Sequence, residues 1–153
     1  MTDLFDLTGR VAFLTGASSG LGLAMSEALA SAGAFVVMTA TRAERLEQAV
    51  AQINRLAPNR AEGRSVDVGD RAALTTTIAE AAADHGRLDI LITNAGISAG
   101  PGFMSEVGQL QSVQPEQWDR VIDVNLTGVF TAIAAAAQPM KAQGWGRIVA
   151  VSS

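Results

Sequence analysis

Short apolar runs alternate with longer stretches of helical spacing along this chain, and that alternation limits the fold more than any other feature. Residues 10–15 (RVAFLT), 34–39 (AFVVMT), 63–66, 88–93 (LDILIT) and 147–151 read as strands. Helices are predicted at 20–32, 42–56, 70–84 and, as one long element, from near Glu116. In the first helix Leu21, Met25, Ala28 and Leu29 share a face, and Gly33 is placed to end it. In the second, Leu46, Ala49, Val50 and Ile53 do the same. Asp70 can cap the third, with Leu74, Ile78 and Ala81 inward. Strands separated by helices run parallel, with helices over both faces of the sheet and right-handed crossovers. The expected fold class is therefore α/β, a doubly wound parallel sheet (Rossmann fold), forming one domain over residues 1–153. Such sheets bind ligands at the carboxyl ends of their strands, and Ser153 sits at the end of the fifth. The reading is of a chain truncated there, with the C-terminal strands and helices of the fold missing.

Composition narrows the function. Hydrophobic residues make up 48% and charged residues 17% of 153, enough for a real core. The net charge of −4 and the scattering of 11 Lys and Arg argue against a nucleic-acid partner. With no cysteine there are no disulfides, thiolate metal sites or Cys nucleophiles, and no metal site is expected. The N-terminus lacks the apolar run of a signal peptide, and the alanine-rich stretch 132–137 is too short to span a bilayer. The expectation is a cytoplasmic protein with no membrane partner.

The loop Thr15-Gly16-Ala17-Ser18-Ser19-Gly20-Leu21-Gly22 joins the first strand to the first helix. In this setting Gly16 permits a tight turn, Gly20 allows backbone close to a pyrophosphate and Gly22 allows close helix packing. The helix N-terminus presents free N–H groups and partial positive charge to phosphates, and Ser18 and Ser19 can add hydroxyl donors. NAD-binding units place an acidic residue about 20 positions on, to take the ribose hydroxyl. Here the second strand ends in Thr39-Ala40-Thr41-Arg42, with no acid at its tip. Thr41 and Arg42 would accept a 2′-phosphate that a carboxylate would repel, so NADP(H) is favoured over NAD(H). Arg42 opening a solvated helix is the simpler alternative.

On the long helix Trp118, Val121, Ile122, Val129 and Ile133 form an apolar stripe that includes Asn125. A polar amide facing a core needs a hydrogen-bond partner, structural or water, or it costs about 1–3 kcal/mol.

The glycine spacing is similar to that of the short-chain dehydrogenase/reductase family, whose pattern is TGxxxGxG. Further segments resemble that family in order. Asp67-Val68 matches its adenine contact, although Asp67 also suits a turn. Asn94-Ala95-Gly96 matches its NAG motif, where Asn94 can brace the sheet and Gly96 lets backbone approach the cofactor. Asp123-Val124-Asn125-Leu126-Thr127-Gly128 matches the segment in which Asn125 would hold a water of the proton relay. Gly146-Arg147-Ile148-Val149-Ala150-Val151-Ser152-Ser153 matches the strand in which Ser153 would hold the substrate carbonyl by a hydrogen bond. The resemblance covers nearly all of residues 7–153 and implies cofactor contacts from Gly16, Ser18, Ser19, Gly20, Leu21, Gly22, Thr41, Arg42, Asp67, Val68, Asn94, Ala95 and Gly96.

The resemblance also implies a Tyr acid/base with a Lys four residues on, and the 153 residues contain no Tyr. The expected activity is hydride transfer between nicotinamide and a small-molecule carbonyl or secondary alcohol, by a homo-oligomer (tetramer or dimer) when full length. A truncated, non-catalytic dinucleotide-binding or interaction module is the alternative. His85, beside Gly86 at a helix end, is expected to have an ordinary capping or surface role. The long loop 100–108 is expected to border the substrate pocket, with Phe103 and Met104 suited to an apolar group.

Overall fold

Five parallel strands form one sheet in the order β3-β2-β1-β4-β5. The computed structural model describes residues 5–100 and 104–152. The strands are β1 Val11–Thr15, β2 Phe35–Ala40, β3 Ala61–Ser65, β4 Ile90–Thr93 and β5 Arg147–Ala150. Helices α1 Gly20–Ser31, α2 Ala43–Leu56, α3 Arg71–Asp84, α4 Pro115–Ile122 and α5 Gly128–Ala142 connect them. A five-residue π turn, Asp123–Thr127, joins α4 to α5.

The side chains of each central strand alternate between two cores, as extended backbone requires. Ala12, Leu14, Val36, Met38, Ile90 and Ile92 face the α1 and α2 side. Val11, Phe13, Val37 and Leu91 face α3 and α5, where Leu74, Ile78, Ala132 and Ala136 meet them. Burying a side chain such as Phe13 or Leu14, both fully enclosed, contributes about 1.5–3 kcal/mol. The predicted α/β doubly wound sheet is thus the observed fold. Its order reverses between β1 and β4, so the switch point lies where the glycine loop and the Asn94 segment emerge.

Three expectations are corrected. Strand β3 begins at Ala61 rather than at 63, because the Asn54 amide oxygen takes the Arg60 and Ala61 N–H groups at 3.0 Å and β2 sets the register. It is an edge strand with charged outward residues, so apolar patterning is weak there. On α1 the buried line is Gly22, Ser26 and Ala30, whereas Leu21 and Ala28 are exposed and Met25 and Leu29 only flank the core. Small residues bring this helix close to the sheet, and the Ser26 hydroxyl is satisfied by donating to the Gly22 carbonyl at 2.9 Å.

The long helix is also not continuous. The π turn rotates the following face, so that Val124, Gly128, Thr131, Ala132, Ala136 and Met140 point inward. Trp118 is exposed, Val121, Ile122, Val129 and Ile133 are half-buried, and Asn125 lies on the exposed side. The run Pro115–Ala142 is long and apolar enough to cross a membrane by length and composition. Only its α5 part packs here, against β4 and α3, while α4 buries none of its residues.

The N-terminal edge of the sheet is pinned by one buried carboxylate. Asp89 is fully enclosed and accepts from Arg87 Nε and Nη2 at 2.6 Å each, from Arg10 Nη1 at 3.0 Å and from the Val11 amide at 2.9 Å. Burial pushes this carboxyl up, but Arg87, the Val11 N–H and Arg10 outweigh it and hold the group below the usual aspartate range. Arg10 and Arg147 also lie over the Trp145 ring, at 4.1 and 4.8 Å from its centre. His85 caps α3 as expected and packs its ring against Phe35 at 4.4 Å.

Candidate functional site

A cleft of about 370 Å³ opens at the carboxyl ends of the strands, over the switch point. Its floor is the glycine loop. Gly16 has φ +68, and a Cβ there would stand 2.8 Å from the Ala95 Cα, so only glycine makes this turn. A Cβ on Gly22 would overlap the Gly16 carbonyl and the Asn94 amide, so glycine is what lets α1 sit against its own loop. Gly20 opens α1 with φ +55 and open space around its Cα.

Backbone and hydroxyl groups hold this floor. Asn94 Nδ2 donates to the Thr15 and Gly16 carbonyls, both at 3.2 Å. The Thr15 hydroxyl accepts from the Asn94 and Ala95 amides at 3.0 and 3.1 Å, and the Ala17 amide donates to the Thr39 carbonyl at 2.9 Å. Asn94 therefore braces β4 against the loop, as its position suggested. The buried Thr15 hydroxyl, its partner in that brace, was not singled out from the sequence. No side chain among the described residues caps the start of α1 and no acidic residue lies in its first turn, so the N–H groups there have no side-chain partner.

The cleft brings together Gly16, Ser18, Ser19, Leu21 and Gly22 with Thr41 and Arg42, Asp67 and Val68, and Asn94, Ala95 and Gly96. Of the expected cofactor contacts, Gly20 is absent from its lining. Arg42 is exposed at the start of α2, and Leu21 is exposed at the mouth. Asp67 serves its turn by accepting from the Gly69 amide at 2.9 Å, and it also pairs with Arg120 at 2.6 Å. Burial raises the Asp67 carboxyl, and the Gly69 N–H and Arg120 outweigh it, leaving it ionised below the usual range. Arg120 also lines the cleft and carried no signal in the sequence, since 53 residues separate it from Asp67.

Asn125 finds its partner in backbone. Its Oδ1 accepts from the Ile97 amide at 2.9 Å and its Nδ2 donates to the Ile97 carbonyl at 2.8 Å. One N–H and one acceptor site of the amide stay open. The two bonds fix the segment that follows β4 beside the cleft, where Ile97 is part of the lining. Ser153 and Phe103 lie outside the described residues, and Met104 is exposed. Among the described residues no group of three His, Cys, Asp or Glu could hold a metal.

A sequence model of short chain dehydrogenases matches residues 10–153. The chain belongs to that family. A 3alpha-hydroxysteroid dehydrogenase of Mediterraneibacter gnavus is 35% identical over 148 residues, covering 96% of this chain and 56% of the relative. A D-beta-hydroxybutyrate dehydrogenase of Rhizobium meliloti is 33% identical over 145 residues, covering 94% and 54%. Among solved structures, a metagenomic short-chain oxidoreductase in complex with NADP superposes with a TM-score of 0.86 at 36% identity, covering 96% of this chain and 63% of that one. The short-chain dehydrogenase chain thus spans about half the length of the curated relatives it matches. The family is one of oxidoreductases that use NAD or NADP.

Proposed function

We infer that this chain forms the dinucleotide-binding part of an oxidoreductase that moves a hydride between nicotinamide and a carbonyl or secondary alcohol. The uncapped, acid-free start of α1, facing a cleft at the switch point, is the observation that carries this reading. That site suits a pyrophosphate, because oriented N–H groups and the helix dipole favour an anion. When bound, the dinucleotide supplies the hydride donor or acceptor.

The chain's own residues then take distinct tasks. The turn at Gly16 and the α1 N-terminus hold the phosphates, with Ser18 and Ser19 beside them. Asp67 and Val68 border the adenine end. Arg42, which makes no ion pair among the described residues, would take a 2′-phosphate, and Thr41 leaves room for it. This supports NADP(H) over NAD(H). Asn125 orders the backbone at Ile97 and keeps one donor and one acceptor for a relay water. By the family resemblance of its segment in the sequence, Ser153 is the residue we assign to the substrate carbonyl.

The exposed Trp118, Leu126 and Phe130, 53%, 62% and 71% accessible, support self-association through the α4–α5 face. The acidic, cysteine-free composition supports a cytoplasmic setting without nucleic-acid or membrane partners. Titration of the protein with NADPH and NADH by cofactor fluorescence tests the reading. Saturable binding with NADPH the tighter ligand is expected. Absence of binding to either would overturn it.

A further inference from the structure

Helix α4 buries none of its residues, yet one of its side chains reaches into the nucleotide cleft. Arg120 leaves α4 and crosses to the turn after β3, where Nη2 meets Asp67 Oδ2 at 2.6 Å. Its other terminal nitrogen, Nη1, lies against Gly69, at a place that a Cβ on that residue would overlap. Asp67 is held from two directions, by Arg120 on one oxygen and by the Gly69 amide at 2.9 Å on the other. Each oxygen keeps a further lone pair for a ligand. A carboxylate fixed in this way presents a set orientation to the cleft, whereas one released from Arg120 could turn to solvent.

We propose that Arg120 is a positioning residue for the adenine end of the dinucleotide: it clamps Asp67 and the Gly69 backbone in the geometry that receives the base. The proposal rests on the reading of the cleft as a dinucleotide site. Arg120 acts through Asp67 and has no contact of its own with the nucleotide. Because the guanidinium runs from α4, the clamp also fastens that helix, and the π turn beyond it, to the nucleotide-binding wall.

The test is a double-mutant cycle read as affinity for 2′,5′-ADP, which carries the adenosine half alone, and for NADPH. R120M and D67N should each weaken 2′,5′-ADP binding by about fivefold, the scale of a half-exposed ion pair. R120M combined with D67N should be no weaker than D67N alone, because Arg120 works only through that carboxylate. R120K should recover most of the loss. Losses that multiply in the double variant would show Arg120 meeting the nucleotide directly and overturn the proposal. Unchanged affinity in R120M would overturn it as well, as would a loss that R120K fails to restore. Wild-type protein that binds neither NADPH nor NADH would instead overturn the dinucleotide reading beneath it.

Discussion

At the N-terminal edge of the sheet, Asp89 gathers Arg10, Arg87 and the Val11 amide, and Arg10 and Arg147 both lie over the Trp145 ring. At the C-terminal edge, the first-turn N–H groups of α1 have no cap and Arg42 has no ion partner among the described residues. The two edges are opposite ends of the same strands. One saturates its polar groups internally and fastens β1, β4 and β5 together. The other leaves donors beside a cleft and, apart from the Asp67–Arg120 pair, fastens only the backbone that carries them. Unsatisfied donors beside a well-braced backbone mark the site, and satisfied ones mark the scaffold.

The sharpest way to break this contrast is at Asp89. Asp89→Ala removes a buried carboxylate that holds the Val11 amide and two half-exposed arginines, and should cost about 3 kcal/mol in a urea unfolding curve. NADPH affinity of the folded protein should stay within twofold. A large affinity loss with normal stability would mean that the edge does not act as scaffold.

Gly16→Val is the counterpart at the other edge. A side chain there collides with Ala95 and spoils the turn, so NADPH affinity should fall by more than about 100-fold, or ~2.7 kcal/mol. Isothermal titration on protein with an unchanged circular dichroism spectrum checks this. Retained affinity would detach the glycine loop from the cleft's function.

Thr41→Asp with Arg42→Ala sharpens the cofactor side of the contrast. Removing one cation and adding one anion beside a phosphate should shift the NADPH-to-NADH affinity ratio toward NADH by about 10-fold or more. A ratio that does not move would leave the NADP preference without a basis.

A smaller effect concerns acid. Asp89 is held below its ordinary range, so its stabilising contribution is present above the ordinary aspartate value and is lost as pH falls through the lowered folded value. Wild-type stability should therefore drop on the acid side, and Asp89→Asn should flatten that slope. An identical slope in both proteins would show that the buried carboxylate is not the group being titrated.

Smallest is Thr93→Val. The Thr93 hydroxyl is buried with no hydrogen-bond partner among the described residues, beside Val124 and Gly128. Replacing it by a methyl should raise the melting temperature slightly, by up to about 1 kcal/mol in stability. A clear loss would reveal a partner for that hydroxyl.

Much of this was legible in the amino-acid order. The runs at β1, β2 and β4 are apolar because both faces of a central parallel strand are covered, and that pattern cannot be disguised. The glycine loop was legible because its constraint is local: positive φ and close backbone approach require glycine at Gly16 and Gly22. Strand β3 was misplaced because an edge strand has polar neighbours and takes its register from β2 and Asn54. The inner face of α1 was misassigned because Gly22, Ser26 and Ala30 pack by being small, which hydrophobic periodicity does not register. The stripe through Trp118 failed because a π turn inserts a rotation that a 3.6-residue period does not contain. Arg120 was invisible because its partner is distant in sequence and no spacing rule links a helix arginine to a turn aspartate.

The central claim is that the cleft over the β1–β4 switch point is where the dinucleotide binds. Hydrogen exchange of the backbone amides, with and without saturating NADPH, tests it most directly. The account predicts slowed exchange at Gly20, Leu21 and Gly22 and through Asn94, Ala95 and Gly96, with Val11 and Asp89 at the opposite edge unchanged. Protection confined to the opposite edge, or NADPH binding with no protection at the start of α1, would contradict it.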